Sequence, residues 1–265
     1  MNIAIAFLTN YPEQSTLDFA KEVAIYTKYD VYIIADSMKH IERNDYYTSI
    51  QIQDDDCKIN GYINSSFTET TTRIRKNPIA YDKFLCAFCN IFTGYGFVWV
   101  VEEDVFMRTP DILKTLSDKY SSYDLVTANN FRKSDTLQDW HWKYIFKAIQ
   151  PPYYYSMVCA AGVSRRLLNA VKEYVDKNKS LFFVEALFNT LAMQNGLNCI
   201  APLEMKTLMW MADWKLDDYL LLPNNLFHPV KNLNDHDVLR KSIAKAQYFN
   251  YKPINTLPNF ITDLL

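Results

Sequence analysis

"FVWVVEEDVF", residues 97–106, is the stretch on which the reading of this chain turns. The apolar run from Phe97 to Val101 suits a strand covered on both faces, as in a parallel sheet. Three acids follow at once: Glu102, Glu103 and Asp104. Side chains alternate along a strand, so Glu102 and Asp104 are expected to share one side, with Val98 and Val100. Glu103 is expected to turn to the other. In open α/β sheets, ligands gather at the carboxyl ends of the strands. Paired carboxylates repel unless a cation lies near them, and hard oxygen ligands suit Mg²⁺ or Mn²⁺. A solvated acidic strand end is the other reading, and spacing alone leaves both open.

Strand and helix signals alternate around this segment. Residues 2–8 read as a buried strand, Thr16 to Lys28 has helical spacing, and "DVYIIAD" at 30–36 is a second buried strand. Residues 43–76 are polar, with weak strand character near Ile50, and place Asp54, Asp55 and Asp56 in a loop. A helix is expected from Pro78 to Phe92, stopped by Gly94 and Gly96. Pro110 opens another, to Tyr120, and "YDLVTAN" at 123–129 reads as a strand. Residues 130–150 resemble a surface or lid segment. "YYYSMVCAAGVS" at 153–164 reads as a strand ending at Gly162, with Ser164 placed to cap a helix through Val175. A further helix spans Leu181 to Gln194. The mildly basic stretch from Lys231 to Lys252 reads as a solvated helix followed by a tail. The expectation is an α/β fold: one domain over 1–265 with a mostly parallel central sheet flanked by helices.

Composition narrows the function. The 265 residues carry 28 basic and 30 acidic side chains, and no window gathers Lys and Arg into a stripe able to neutralise a run of phosphates, which argues against nucleic acid. Five irregularly spaced cysteines do not resemble a disulfide framework, and Cys86 and Cys89 read as small core residues. No apolar stretch approaches the ~20 residues of a membrane span, and the N-terminal run has no charged leader segment; a cytoplasmic address is expected. There are only five glycines, and neither a G-x-G-x-x-G nor a G-x-x-x-x-G-K pattern is present. Phosphate, if bound, must be held by side chains or a metal.

Three further residues carry potential chemistry. Glu185 has Leu181, Phe182 and Phe188 among its helical neighbours, surroundings that raise a carboxylate pKa toward that of a general base. An amphipathic helix edge is the plainer alternative. "FHPVK" places His228 and Lys231 close together, a potential metal ligand and a potential phosphate partner. Lys83 lies near a helix start amid apolar residues, where a lysine snorkelling to the surface is the plainer reading.

Taken in order, these pieces resemble the GT-A-type glycosyltransferases, nucleotide-sugar-dependent enzymes with one Rossmann-like α/β domain. The resemblance runs over most of residues 2–231: "FLTNY" ending the first strand, Asp36 ending the second, "YDK" at 81–83, "EED" in place of the usual D-x-D, "CAAGVSRRLL", "FVEALFNTLA" and a late "HPVK". It implies a nucleoside-diphosphate sugar, UDP-linked for preference, held by Thr9, Asn10, Tyr11, Asp36, Lys83, Glu103 and Lys231. It implies Mn²⁺ or Mg²⁺ on Glu102, Asp104 and His228, with Glu185 as the base that deprotonates an acceptor hydroxyl in an inverting transfer. Trp140, Trp142 and the tyrosines at 153–155 are candidates for acceptor contact. The competing class is a catalytically inactive scaffold of the same shape. A nucleotidyltransferase is a third reading, which the missing glycine-rich loop disfavours.

Overall fold

The computed structural model describes residues 1–36, 44–64, 77–133 and 142–249. Trp140, Lys252 and the tail expected beyond it lie outside these residues. Seven strands form one sheet, in the order β10-β6-β9-β4-β1-β2-β3. They are β1 (Ile3–Thr9), β2 (Asp30–Ala35), β3 (Tyr47–Ile50), β4 (Phe97–Glu102), β6 (Leu125–Val126), β9 (Ala160–Ser164) and β10 (Cys199–Ile200). Two small pairs complete the set: β5 (Phe106–Met107) with β11 (Leu226–Phe227), and β7 (Phe131–Arg132) with β8 (Tyr154–Tyr155). All neighbours in the main sheet are parallel except β9, which runs antiparallel to β4 and β6. The carboxyl ends of β1, β4 and β6 therefore share one edge.

Nine α-helices lie among the described residues: α1 (Gln14–Thr27), α2 (Asp54–Ile59), α3 (Ala80–Asn90), α4 (Ile112–Tyr120), α5 (Trp142–Ala148), α6 (Arg165–Asn178), α7 (Val184–Gln194), α8 (Leu216–Leu221) and α9 (Leu233–Tyr248). Alternation sorts β1 and β4 into two cores. Ile5, Phe7, Phe97, Trp99 and Val101 pack with Phe19 and Val23 of α1 and Leu113 and Leu116 of α4. Ala4, Ala6, Leu8, Val98 and Val100 pack with Phe84 and Phe88 of α3, Leu168 of α6 and Phe188 of α7. Both faces of the central strands are thus covered, which is why they read as continuous apolar runs.

Several local expectations need correction. The strand expected over 153–164 is broken into β8 and β9, and Gly162 lies inside β9. A Cβ there would fall 2.4 Å from Cζ of Phe97 and 3.3 Å from the Trp99 ring, so glycine makes room for the two aromatics of the neighbouring strand. Asp54, Asp55 and Asp56 form the first turn of α2, where carboxylates meet the positive end of the helix dipole. Trp142 is buried against Phe146, Tyr153 and Tyr155, so it packs the interior instead of presenting a surface. The solvated C-terminal helix is α9, and it is anchored. Arg240 lies 3.7 Å over the Phe19 ring and donates to the Met107 carbonyl at 3.1 Å, fixing α9 to α1 and β5. Ser164 does cap α6, accepting from the Leu167 N–H at 3.1 Å. Cys86 and Cys89 are buried on α3. No described helix is long and apolar enough to cross a membrane.

Candidate functional site

A cleft of about 450 Å³ opens at the carboxyl ends of β1, β2 and β4. Thr9, Asn10, Glu13, Asp36, Tyr81, Glu102, Glu103, Asp104 and Lys231 are among the residues that line it. β4 ends at Glu102, in register with Leu8 of β1, and the chain then turns. The turn is fixed by the Glu103 N–H on the Leu8 carbonyl at 3.0 Å and the Val105 N–H on the Glu102 carbonyl at 3.1 Å. Asp104 thus lies beyond the strand, where alternation no longer governs its direction.

Even so, Glu102 and Asp104 converge. One ligand atom from each, with one from His228, fall within 4.8 Å of one another. His228 follows β11, and its Nδ1 is 2.6 Å from the Met209 carbonyl. That contact requires the proton on Nδ1 and leaves Nε2 facing Asp104 Oδ2 at 3.4 Å. Burial alone would lower the His228 pKa, but the hydrogen bond and charge of Asp104 raise it above the usual value. Burial likewise opposes ionisation of Asp104, yet His228 and the Lys231 charge hold that carboxyl below its usual range. The second Asp104 oxygen, Oδ1, is buried without a hydrogen bond among the described residues. An orphaned buried carboxylate oxygen costs on the order of 1–3 kcal/mol unless a ligand satisfies it. Two carboxylates and an imidazole nitrogen in this arrangement could hold a divalent cation.

Glu103 turns toward Thr9, on the Phe7 side of the sheet, and still joins the cleft wall, accepting from the Thr9 hydroxyl and, at 3.3 Å, from the Asn10 N–H. Burial raises its pKa in spite of those two donors. It ties the turn after β4 to the loop after β1. Asp36 also lines the cleft, and its carboxylate accepts from the Ala80 N–H at the start of α3. Lys83 is neither snorkelling nor part of the cleft lining. It is 1% exposed, donating to the Asp36 carbonyl at 2.9 Å and pairing with Asp54 at 3.0 Å. Its charge steadies the end of β2 from behind. Tyr11 is exposed and outside the cleft lining, whereas Lys231 stands exposed at its rim.

Glu185 lies in the first turn of α7, on the face of the sheet shared by Val98 and Val100. Burial, then the Glu102 carboxylate, raise its pKa to about 7 against a smaller lowering by His228. The helix begins at Val184, three residues later than expected, so Leu181 and Phe182 precede it, in the same core as Ala186 and Phe188. Glu13 is a cleft residue that sequence reasoning missed, and Tyr81, the first residue of the "YDK" motif, lines the cleft without having been given a role. The Met209 carbonyl was also missed, and a backbone oxygen leaves no residue-type signal.

No protein-family model matches the sequence, and no curated protein matches it. Among solved structures, the chain is similar to an active-site mutant of LgtC, at 12% identity and a TM-score of 0.44 over 91% of this chain and 96% of that one. It is similar also to a protein assigned as a nucleotide-diphospho-sugar transferase from Desulfovibrio desulfuricans G20, at 8% identity and a TM-score of 0.37 over 91% and 97% of the two chains. At such identities and scores, the functional reading belongs to the residues of the cleft.

Proposed function

We propose that the protein is a GT-A-type glycosyltransferase that moves a sugar from a nucleoside-diphosphate donor, UDP-linked for preference, to an acceptor hydroxyl. The observation that carries this reading is the convergence of Glu102, Asp104 and His228 in the cleft that also receives Thr9, Asn10, Asp36 and Lys231. These residues come from motifs scattered over more than two hundred positions, in the order of the resemblance.

In this reading Glu102, Asp104 and His228 hold a divalent cation, which when bound supplies positive charge to a departing diphosphate. Lys231 adds a mobile ammonium at the rim for the same phosphates. Asp36 and the Thr9–Asn10 turn, braced by Glu103, receive the nucleoside end. Glu185 takes the proton of the acceptor hydroxyl as that oxygen attacks the anomeric carbon and the diphosphate leaves, inverting the centre. A pKa of about 7 suits a general base at neutral pH.

The test is a thermal-shift panel of UDP-, GDP- and TDP-sugars with and without Mn²⁺. Stabilisation by one nucleotide class that grows with Mn²⁺ is the expected result. No response to any nucleotide would favour the inactive scaffold. A product with retained anomeric configuration would remove the base role from Glu185 and leave the donor site standing.

A further inference from the structure

Residues 206–211 run alongside His228. The His228 N–H donates to the Thr207 carbonyl at 3.1 Å, and the Met209 N–H returns to the His228 carbonyl at 3.2 Å. This segment carries two features that the donor cleft leaves unused. The first is Lys206, half-buried, whose Nζ donates to Asn129 Oδ1 at 3.1 Å. Asn129 follows β6, so it stands on the same sheet edge as Thr9 and Glu102. Fully buried Asn189, one turn beyond Glu185 on α7, donates to the Asn129 carbonyl at 3.1 Å and to Asn130 Oδ1 at 3.0 Å. The Lys206 partner is thereby held in place on the side of the proposed base.

Among the described residues no carboxylate pairs with Lys206, and burial holds its pKa below the ordinary lysine value. A cation taken partly out of water with only a neutral amide for company is poorly compensated, and an incoming anion would correct that. The second feature is Trp210 with Met211, 72% and 77% exposed, in a loop whose root is pinned to His228. A large indole in solvent, four residues along the chain from Lys206, offers an apolar plate of the kind a sugar ring covers.

We propose that Lys206, Asn129 and Trp210 form an acceptor subsite for an acidic saccharide. Lys206 binds its carboxylate or phosphate, Asn129 holds the ammonium in position, and Trp210 packs on a ring face. The assignment of this ligand as the acceptor rests on the glycosyltransferase reading above. A neutral acceptor would leave the ammonium as poorly compensated as it is in the free protein.

The test has two separate arms. In the donor arm, UDP with Mn²⁺ is titrated against wild type and Lys206→Met, and both respond alike; no binding by either counts against the donor reading alone, whereas binding lost only in Lys206→Met places Lys206 in the donor site and overturns the acceptor assignment. In the acceptor arm, glucuronic acid, glucose 6-phosphate and glucose are titrated without nucleotide by ligand-observed NMR. The expected result is that at least one acid binds about tenfold or more tighter than glucose, a difference of about 1.4 kcal/mol. Which acid wins separates carboxylate from phosphate. Lys206→Met removes the preference, while Trp210→Ala weakens the acid and glucose together. Equal binding of all three sugars, no binding of either acid, or an unchanged preference in a Lys206→Met variant with wild-type melting temperature overturns the proposal.

Discussion

Replacing Glu185 with glutamine separates the electrostatic argument for this residue from any assumption about a substrate. The side chain keeps its size and loses its ability to ionise. In the fold its pKa is about 7, against 4.5 for an ordinary glutamate, because burial and Glu102 disfavour the charge. Between those two pH values the folded protein holds a proton that the unfolded chain has released. The associated stability is fully present below the unfolded pKa and is lost as pH rises through 7. The difference corresponds to about 3 kcal/mol. For a chain of this length that is a melting shift of about 5 °C. Thermal unfolding of wild type and Glu185→Gln is followed by circular dichroism at pH 5 and pH 8 in EDTA. Because both proteins keep the His228–Asp104 pair, subtracting one curve from the other leaves the ionisation of residue 185 and its coupling to Glu102 and His228. The variant should gain on the wild type by most of that shift between the two pH values. A gap that stays constant from pH 5 to pH 8 would show that Glu185 ionises normally and would remove the physical basis for a base at this position.

Three other outcomes are expected. Mn²⁺ at about a hundred times its dissociation constant should stabilise the wild type by about 2.7 kcal/mol, and Asp104→Asn or His228→Ala should each abolish the gain; a persistent gain in both variants would place the cation elsewhere. Glu103→Ala, which cuts the brace to Thr9 and Asn10, should weaken UDP binding about tenfold, or 1.4 kcal/mol, by calorimetry; affinity equal to wild type would return Glu103 to a bystander role. Gly162→Ala should lower stability by about 1–3 kcal/mol in urea unfolding, through the clash with Phe97 and Trp99; unchanged stability would mean that the two rings shift aside freely.

Sequence reading located elements better than it located directions. Phe97–Val101 was recognisable as a buried strand because both its faces are covered, which leaves a continuous apolar run. Its extension through Asp104 was not sound. The strand stops at Glu102, and the turn that follows leaves both Glu103, held by Thr9, and Asp104 in the lining of one cleft. Lys83 shows the same limit from the other side. A lysine among apolar residues reads as a surface group until Asp54 and the carbonyl of Asp36, remote in the chain, are seen to surround it.

Composition and local period alone mark an α/β chain with an acidic strand tip, a helix carrying Glu185 among apolar neighbours and a late His-Pro-Val-Lys. These are properties of composition and local period, and local physics suffices for them. It is the tertiary packing that brings Glu102, Asp104 and His228 together, lets Met209 set the proton on His228, and places Glu102 where it raises the cost of the Glu185 charge. Each of those depends on distance through space between groups far apart in sequence. Coulombic and hydrogen-bond energies follow that distance, and the order of residues along a chain does not contain it.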